Sequence, residues 1–250
     1  MIRAILTLFA SVTLSLALAS SATAAVIVPI NGSTPAGQSY PDLVANWWQW
    51  VLALPDDQNP MTDPTGAHAA NGQLGDVFFL APSLGGDFTR RVTVPQNKYL
   101  FFPIVTTLGI NAPGETYTEA DLRAQLDDFH GRTYLLFAKL DQEQILNVWE
   151  YRASSPAGGF QVAVPDGNIF DLPAGTYGPP AIGDGWWLLM EPLSVGRHVL
   201  EFRGAVGDPT ESDYFQATKY YITVPEPATI ALLPFTALLV CRSRRFRTIN

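Results

Sequence analysis

Short segments in which polar and apolar residues alternate, separated by turns rich in glycine and proline, recur along most of this chain. Between residues 197 and 203, Leu200 and Phe202 alternate with Glu201 and Arg203, which is the period-two pattern of a strand with one buried face. The chain has 20 glycines and 20 prolines in 250 residues, and they supply the turns between such segments. Eight segments are predicted as strands: 76–81, 89–94, 98–105, 133–139, 159–164, 185–190, 197–203 and 215–224. They predict a mainly β fold, an antiparallel β-sandwich of jelly-roll type.

Two segments have helical rather than strand-like patterns. Residues 39–54 begin with Ser39, a preferred helix N-cap, and place Trp47 and Trp48 on one broad apolar face. Residues 118–129 begin with Thr118, followed three positions later by Asp121, as in a capping box. We therefore expect one or two short helices to pack on the sandwich. The turn between residues 190 and 197 predicts a hairpin that joins the two strands beside it.

The first 24 residues have the organisation of a secretory signal peptide. Arg3 gives a positive start, residues 4–19 are apolar, and small residues stand at positions 22 and 24. We expect signal peptidase to cut after Ala24 or Ala25, so that the mature chain begins at Ala25 or Val26. The chain is therefore predicted to be exported across the inner membrane.

The last 27 residues, 224–250, contain three features in a fixed order. A Pro-Glu-Pro tripeptide (Pro225, Glu226 and Pro227) precedes an apolar segment, 228–240, and a basic tail follows at 242–247 with Arg242, Arg244, Arg245 and Arg247. This arrangement resembles the PEP-CTERM sorting signal of Gram-negative bacteria. The resemblance implies transient insertion in the inner membrane and cleavage near the tripeptide by an exosortase. The protein would then reach the cell surface or the extracellular matrix.

Between these signals lies a predicted exported domain, residues 25–223. The whole chain has a formal net charge of −8. Five of its 15 basic residues and one of its 23 acidic residues lie outside the region 25–225. That region therefore has ten basic and 22 acidic residues, a net charge of −12. Such a surface argues against binding to nucleic acid, and it could bind cations or repel an acidic polysaccharide. The single cysteine, Cys241, lies in the sorting segment, so the domain is held together without disulfides.

The middle of the chain also resembles a group of exported bacterial proteins without an assigned activity. The residues that carry the resemblance are Trp-Trp-Gln-Trp at 47–50, Gly-Gln-Leu-Gly-Asp-Val-Phe-Phe-Leu at 72–80, and Thr-Val-Pro-Gln-Asn-Lys-Tyr-Leu-Phe-Phe-Pro at 93–103. It extends over residues 39–224 and implies a shared fold, with no reaction attached.

Three tryptophans are candidate ligand-stacking residues, with burial in the core as the alternative for each. Trp50 lies at the border of its helix face, and Trp186 and Trp187 are neighbours in a strand, so one of that pair should point outward. An exposed indole could stack on a sugar ring, and the predicted partner is an exopolysaccharide bound by stacking rather than by charge.

One loop is a candidate cation site. Asp56, Asp57 and Asp63 lie close together in sequence, and calcium binds to oxygen ligands in irregular loops. The loop matches no known calcium motif, and a plain solvated turn is the alternative. No other cofactor is indicated, because the three histidines are too scattered for a zinc site.

Three functions remain open at this point. The favoured one is a structural or binding protein of the cell surface or extracellular matrix. The first alternative is a secreted polysaccharide hydrolase, which needs two acids in one cleft. The second is an adhesion module stiffened by calcium.

Overall fold

Two β-sheets and two α-helices make up the folded part of the chain. The computed structural model describes residues 26–31 and 34–227. The helices are α1 (Tyr40–Leu52) and α2 (Glu119–Gly131), and a 3-10 turn covers Val148–Glu150. The strands are β1 (Val77–Phe79), β2 (Gly86–Thr93), β3 (Tyr99–Gly109), β4 (Thr133–Leu140), β5 (Glu143–Gln144), β6 (Arg152–Ser154), β7 (Phe160–Val164), β8 (Gly175–Met190), β9 (Gly196–Asp208) and β10 (Glu211–Val224).

The first sheet has the order β1-β3-β8-β6, with β7 also paired to β8, and the second has the order β2-β10-β9-β4-β5. Most neighbours are antiparallel, but β1 runs parallel to β3, and β2 runs parallel to β10. The prediction of a mainly β sandwich with two helices is confirmed. The parallel pairs at one edge of each sheet were not predicted, because residue alternation carries no information about strand direction.

The predicted hairpin around residues 192–196 is wrong. Strand β8 ends at Met190 in the first sheet, whereas β9 begins at Gly196 in the second. The connection therefore crosses from one sheet to the other. Leu188 on β8 and Leu200 on β9 therefore enter the apolar core between the sheets from opposite sides.

Both helices begin where their capping residues predict. The Ser39 hydroxyl accepts a hydrogen bond from the backbone N–H of Asp42 at 3.2 Å, and Thr118 does the same for Asp121 at 3.2 Å. Each aspartate in return accepts from the backbone N–H of its cap residue, which completes a capping box. These contacts are local in sequence, so the sequence pattern is sufficient to locate them.

The elements form three layers. Helix α1 packs on the first sheet through a core that includes Trp47, Phe101 and Trp187. The other face of the first sheet packs on the second sheet through a core that includes Phe102 and Phe202. Helix α2 lies on the β3 and β8 region, where its leucines contact the buried Ile182 of β8. The first sheet is thus covered on both faces, while the second sheet turns its other face to solvent.

Candidate functional site

The two strand tryptophans are both buried, so their predicted stacking role is wrong. Trp186 points into the core between the sheets and Trp187 into the core beneath α1. The two rings do point to opposite faces of the sheet, as expected for neighbouring residues in a strand. However, each face of the first sheet is covered, and neither indole is available to a ligand.

Trp50 is also an interior residue, against the prediction. Only 7% of its surface is exposed, its ring lies 5.5 Å from that of Phe79, and its Nε1 donates a hydrogen bond to the Asn71 carbonyl at 2.7 Å. The segment that follows α1 folds back over the helix and places Gly72 against the indole. This covering segment is distant in sequence from Trp50, which is why the helical wheel placed the residue at a border.

The three aspartates of the predicted cation site have separate surroundings. Asp56 and Asp57 are exposed, whereas Asp63 is buried and accepts hydrogen bonds from the backbone N–H groups of Thr65 and His68 at 2.7 and 2.9 Å. Burial tends to raise the pKa of Asp63, but these hydrogen bonds outweigh it and leave the pKa below its usual value. Within residues 26–31 and 34–227, no group of three or more acidic, histidine or cysteine side chains could hold a metal ion.

The predicted processing residues lie partly within the described chain. Pro225, Glu226 and Pro227 follow directly after β10 and are exposed. The Pro225 carbonyl accepts a hydrogen bond from Gln96 Nε2 at 2.6 Å. The predicted cleavage site at Ala24 and Ala25, the apolar segment 228–240 and the basic tail lie outside the described residues. In the part that is described, no helix is long and apolar enough to cross a bilayer.

A different surface has the features of a binding site. The outward-pointing side chains of β2, β10, β9 and β4 form an exposed patch on the second sheet, which we call the outer face. Cross-strand pairs define it in four rows: Thr93, Thr223 and Arg197; Arg91, Tyr221 and Val199; Thr89, Lys219, Glu201 and Lys139; and Asp87, Ala217, Arg203 and Phe137. Neighbours in one row share a face of the sheet because paired residues project to the same side.

The outer face holds five cations and only two carboxylates, those of Asp87 and Glu201. Glu201 pairs with Lys219 at 3.2 Å. Among the described residues, no carboxylate lies within ion-pair distance of the other four cations, which are Arg91, Lys139, Arg197 and Arg203. In contrast, each exposed or half-buried cation elsewhere in the described chain pairs with a carboxylate. Among the described residues, the exposed or half-buried cations without a carboxylate partner are therefore collected on a single surface.

Aromatic rings accompany these cations. The Arg91 guanidinium lies over the Tyr221 ring at 5.4 Å, and the Arg203 guanidinium lies over the Phe137 ring at 4.4 Å. Beside Tyr221, a shallow depression of about 610 Å³ is lined by Arg91, Arg197, Thr93 and Thr223 among others, with no acidic residue in its lining. The stacking holds the arginine side chains along the sheet and leaves their N–H donors directed to solvent.

A second polar cluster lies where α2 meets β6 and β8. The Arg152 guanidinium pairs with Asp184 at 3.1 Å and with Asp127 at 2.9 Å. Burial raises the pKa of the Asp184 carboxyl, while the hydrogen bond from Arg152 opposes that rise. Asp127 is largely exposed, so two carboxylates in different environments share one guanidinium.

The one tryptophan with a substantial exposed surface within the described chain is Trp149, which the sequence reasoning missed. It is 50% exposed, and its ring stands edge-on to Trp186 with 5.6 Å between centroids. The Arg152 guanidinium also lies over the Trp186 ring, at 5.5 Å, so Trp149 borders the polar cluster through Trp186. A short loop without periodicity surrounds Trp149, and nothing in that pattern signals its exposure.

Comparison with protein-family models, with curated proteins and with solved structures finds no match to this chain.

Proposed function

We propose that this chain is an exported protein whose outer face binds a polysaccharide at the cell surface or in the extracellular matrix. The observation that carries the proposal is the outer face itself, a bare sheet surface with exposed Tyr221 beside a shallow depression. Flat aromatic rings on exposed sheets suit sugar rings because both present extended apolar faces. The proposed partner is still the exopolysaccharide predicted from the sequence, but we place its binding surface on the second sheet instead of at the tryptophans.

The position of the Pro-Glu-Pro tripeptide supports the exported part of the proposal. It follows immediately after β10 at the boundary of the folded domain and is exposed, so a protease could reach it without unfolding a strand. The prolines on both sides of Glu226 favour an extended backbone, which suits a protease cleft. We propose that an exosortase cuts there and that the domain is then released from the inner membrane.

A matched pair of tyrosine variants tests the binding face. Tyr221 and Tyr117 are 41% and 43% exposed, and only Tyr221 lies on the outer face. In a pull-down with the producing cell's exopolysaccharide coupled to beads, Tyr221→Ala should reduce retention of the full chain several-fold. Tyr117→Ala should leave retention unchanged. Equal retention of both variants and the wild type would contradict polysaccharide binding at the outer face.

The hydrolase remains a second candidate because of the Asp127 and Asp184 pair. A buried acid with a raised pKa beside an exposed carboxylate is the arrangement in which one acid donates a proton and the other stays ionised. The bordering Trp149 could contact a sugar. Incubation with the exopolysaccharide should then release reducing ends, and Asp184→Asn should abolish that release without loss of folding. Without release by the wild-type chain, this candidate is excluded.

A further inference from the structure

We propose that the outer face selects an acidic polysaccharide, one that carries carboxylates along its length; this inference rests on the proposed binding function. The sequence alone suggested the opposite, since the region 25–225 has ten basic and 22 acidic residues. Net charge, however, does not determine what a single face attracts. The distribution of the cations and their lack of carboxylate partners on the outer face favour an anionic ligand.

Unpaired cations are unexpected in a domain with this excess of acid. With more than two acidic residues for each basic one, most cations can find a carboxylate, and the four exposed or half-buried ones away from the outer face do so. On the outer face, Arg91, Arg197 and Arg203 have neither an ion pair nor a side-chain hydrogen bond to any described residue. Their donors are free for a ligand that brings its own negative charge.

The geometry of these arginines favours carboxylates. A guanidinium is planar and can donate two parallel hydrogen bonds to one carboxylate. Arg91 and Arg197 lie on the strands on either side of β10 and border the same depression, with Tyr221 and Thr223 between them. An acidic sugar beside Tyr221 could therefore meet the part of the ring that stays exposed, a hydroxyl and a guanidinium together.

The spacing of the cations favours a sparsely charged polymer. Adjacent strands are about 4.8 Å apart, so Arg91 on β2 and Arg197 on β9 have backbones at least about 10 Å apart. Carboxylates on different sugar residues of one polymer chain could therefore meet the two guanidinium groups. Duplex DNA carries a charge about every 1.7 Å, and the acidic remainder of the domain would repel it.

The test is binding of the full chain, purified in detergent, to alginate, a polymer of uronic acids. Carboxyl-reduced alginate is the matched neutral probe, and duplex DNA is the probe for the other class of polyanion. We expect alginate to bind at least about tenfold more tightly than the neutral probe, with an affinity that falls as salt rises. The variant pair Arg91→Ala with Arg197→Ala should weaken alginate binding about tenfold, at a few-fold per exposed charge.

A second double variant, Lys98→Ala with Arg132→Ala, is the control for net charge. It removes two cations that lie off the outer face, each paired with an aspartate, and should leave alginate binding unchanged. Equal binding of both alginate forms would overturn the acidic ligand and leave the proposed binding function intact. Binding of neither form would count against both. Tighter binding of DNA than of alginate would also overturn the inference. So would an equal loss of alginate affinity in the two double variants.

Discussion

The Arg90 guanidinium and the Tyr220 hydroxyl share one buried acceptor, the carbonyl oxygen of Ala81. Arg90 Nη1 donates to that oxygen at 2.5 Å, Tyr220 donates to it at 2.8 Å, and Nη1 also donates to the Tyr220 oxygen at 3.0 Å. Arg90 is fully buried and reaches two further carbonyls, those of Asp63 and Met61. A buried cation thus binds the loop before β1 to the second sheet, with no carboxylate partner in the described part of the chain.

Replacement of Arg90 should destabilise the domain strongly. Arg90→Met removes the arginine donor from three buried carbonyls, and only that of Ala81 keeps another donor, the Tyr220 hydroxyl. Each of the other two losses costs about 1–3 kcal/mol, so we expect the free energy of unfolding to fall by at least about 2 kcal/mol. Arg91→Met is the matched control, because the neighbouring side chain is exposed and should change stability by about 0.5 kcal/mol or less. Denaturant unfolding of both variants checks this, and similar midpoints would contradict the role given to Arg90.

Trp47 and Trp48 should respond differently to the same substitution. Trp47 Nε1 donates to the buried carbonyl of Leu80 at 3.0 Å, whereas Trp48 Nε1 is buried with no partner among the described residues. Replacement by phenylalanine removes a similar volume from each, but only Trp47→Phe loses a hydrogen bond. We expect Trp47→Phe to cost about 1–3 kcal/mol more than Trp48→Phe. Denaturant unfolding of the two variants measures this difference in the free energy of unfolding. A larger loss of stability for Trp48→Phe than for Trp47→Phe would contradict the prediction.

Gly183 should not tolerate a side chain. A Cβ atom there would lie 2.5 Å from Cδ1 of Trp48 and 2.9 Å from Cγ1 of Val44, in a core that is closely packed. We expect Gly183→Ala to cost about 1–3 kcal/mol. Gly131 in α2 has open space at the same position, so Gly131→Ala should be neutral or stabilising by up to about 1 kcal/mol. Thermal midpoints that do not separate the two variants would argue against the tight packing of α1 on β8.

Stability should fall between about pH 6.5 and pH 4 because of His130. Burial, together with the Arg152 guanidinium, lowers the pKa of His130 from 6.5 to about 4. The unfolded chain therefore takes up a proton in this range that the folded chain does not, so acidification favours unfolding, by about 3 kcal/mol across the whole window. In His130→Gln, this part of the pH dependence should disappear. An unchanged slope of unfolding free energy against pH would show that other groups cause it.

Removal of Glu226 should prevent processing, on the proposal that an exosortase cuts at the exposed tripeptide. Glu226→Ala should leave the uncut chain in the inner membrane, while Glu211→Ala, an exposed acid at the start of β10, should be processed normally. Mass spectrometry of the medium and of the membrane fraction distinguishes the two results. Mature protein of unchanged mass released from Glu226→Ala cells would reject the assignment.

Local patterns in the sequence were sufficient for the elements themselves. The N-caps at Ser39 and Thr118 and eight of the ten strands follow from hydrogen bonds and alternation within a few residues. The short strands β5 and β6 were missed because two or three residues are too few for a periodic signal. The burial of Trp47 and Trp48 also followed from a helical face that any packing partner would cover.

Tertiary structure alone decided which surfaces remain open. The sequence pattern identifies the two sides of β8 and of β10, but it does not say that α1 covers one sheet while the second sheet stays bare. For this reason Trp187 is buried, and Arg91, Tyr221 and Arg197, from three separate strands, meet on the outer face. Exposure depends on contacts between residues far apart in the chain, and a pattern of period two or 3.6 records only the direction of each side chain.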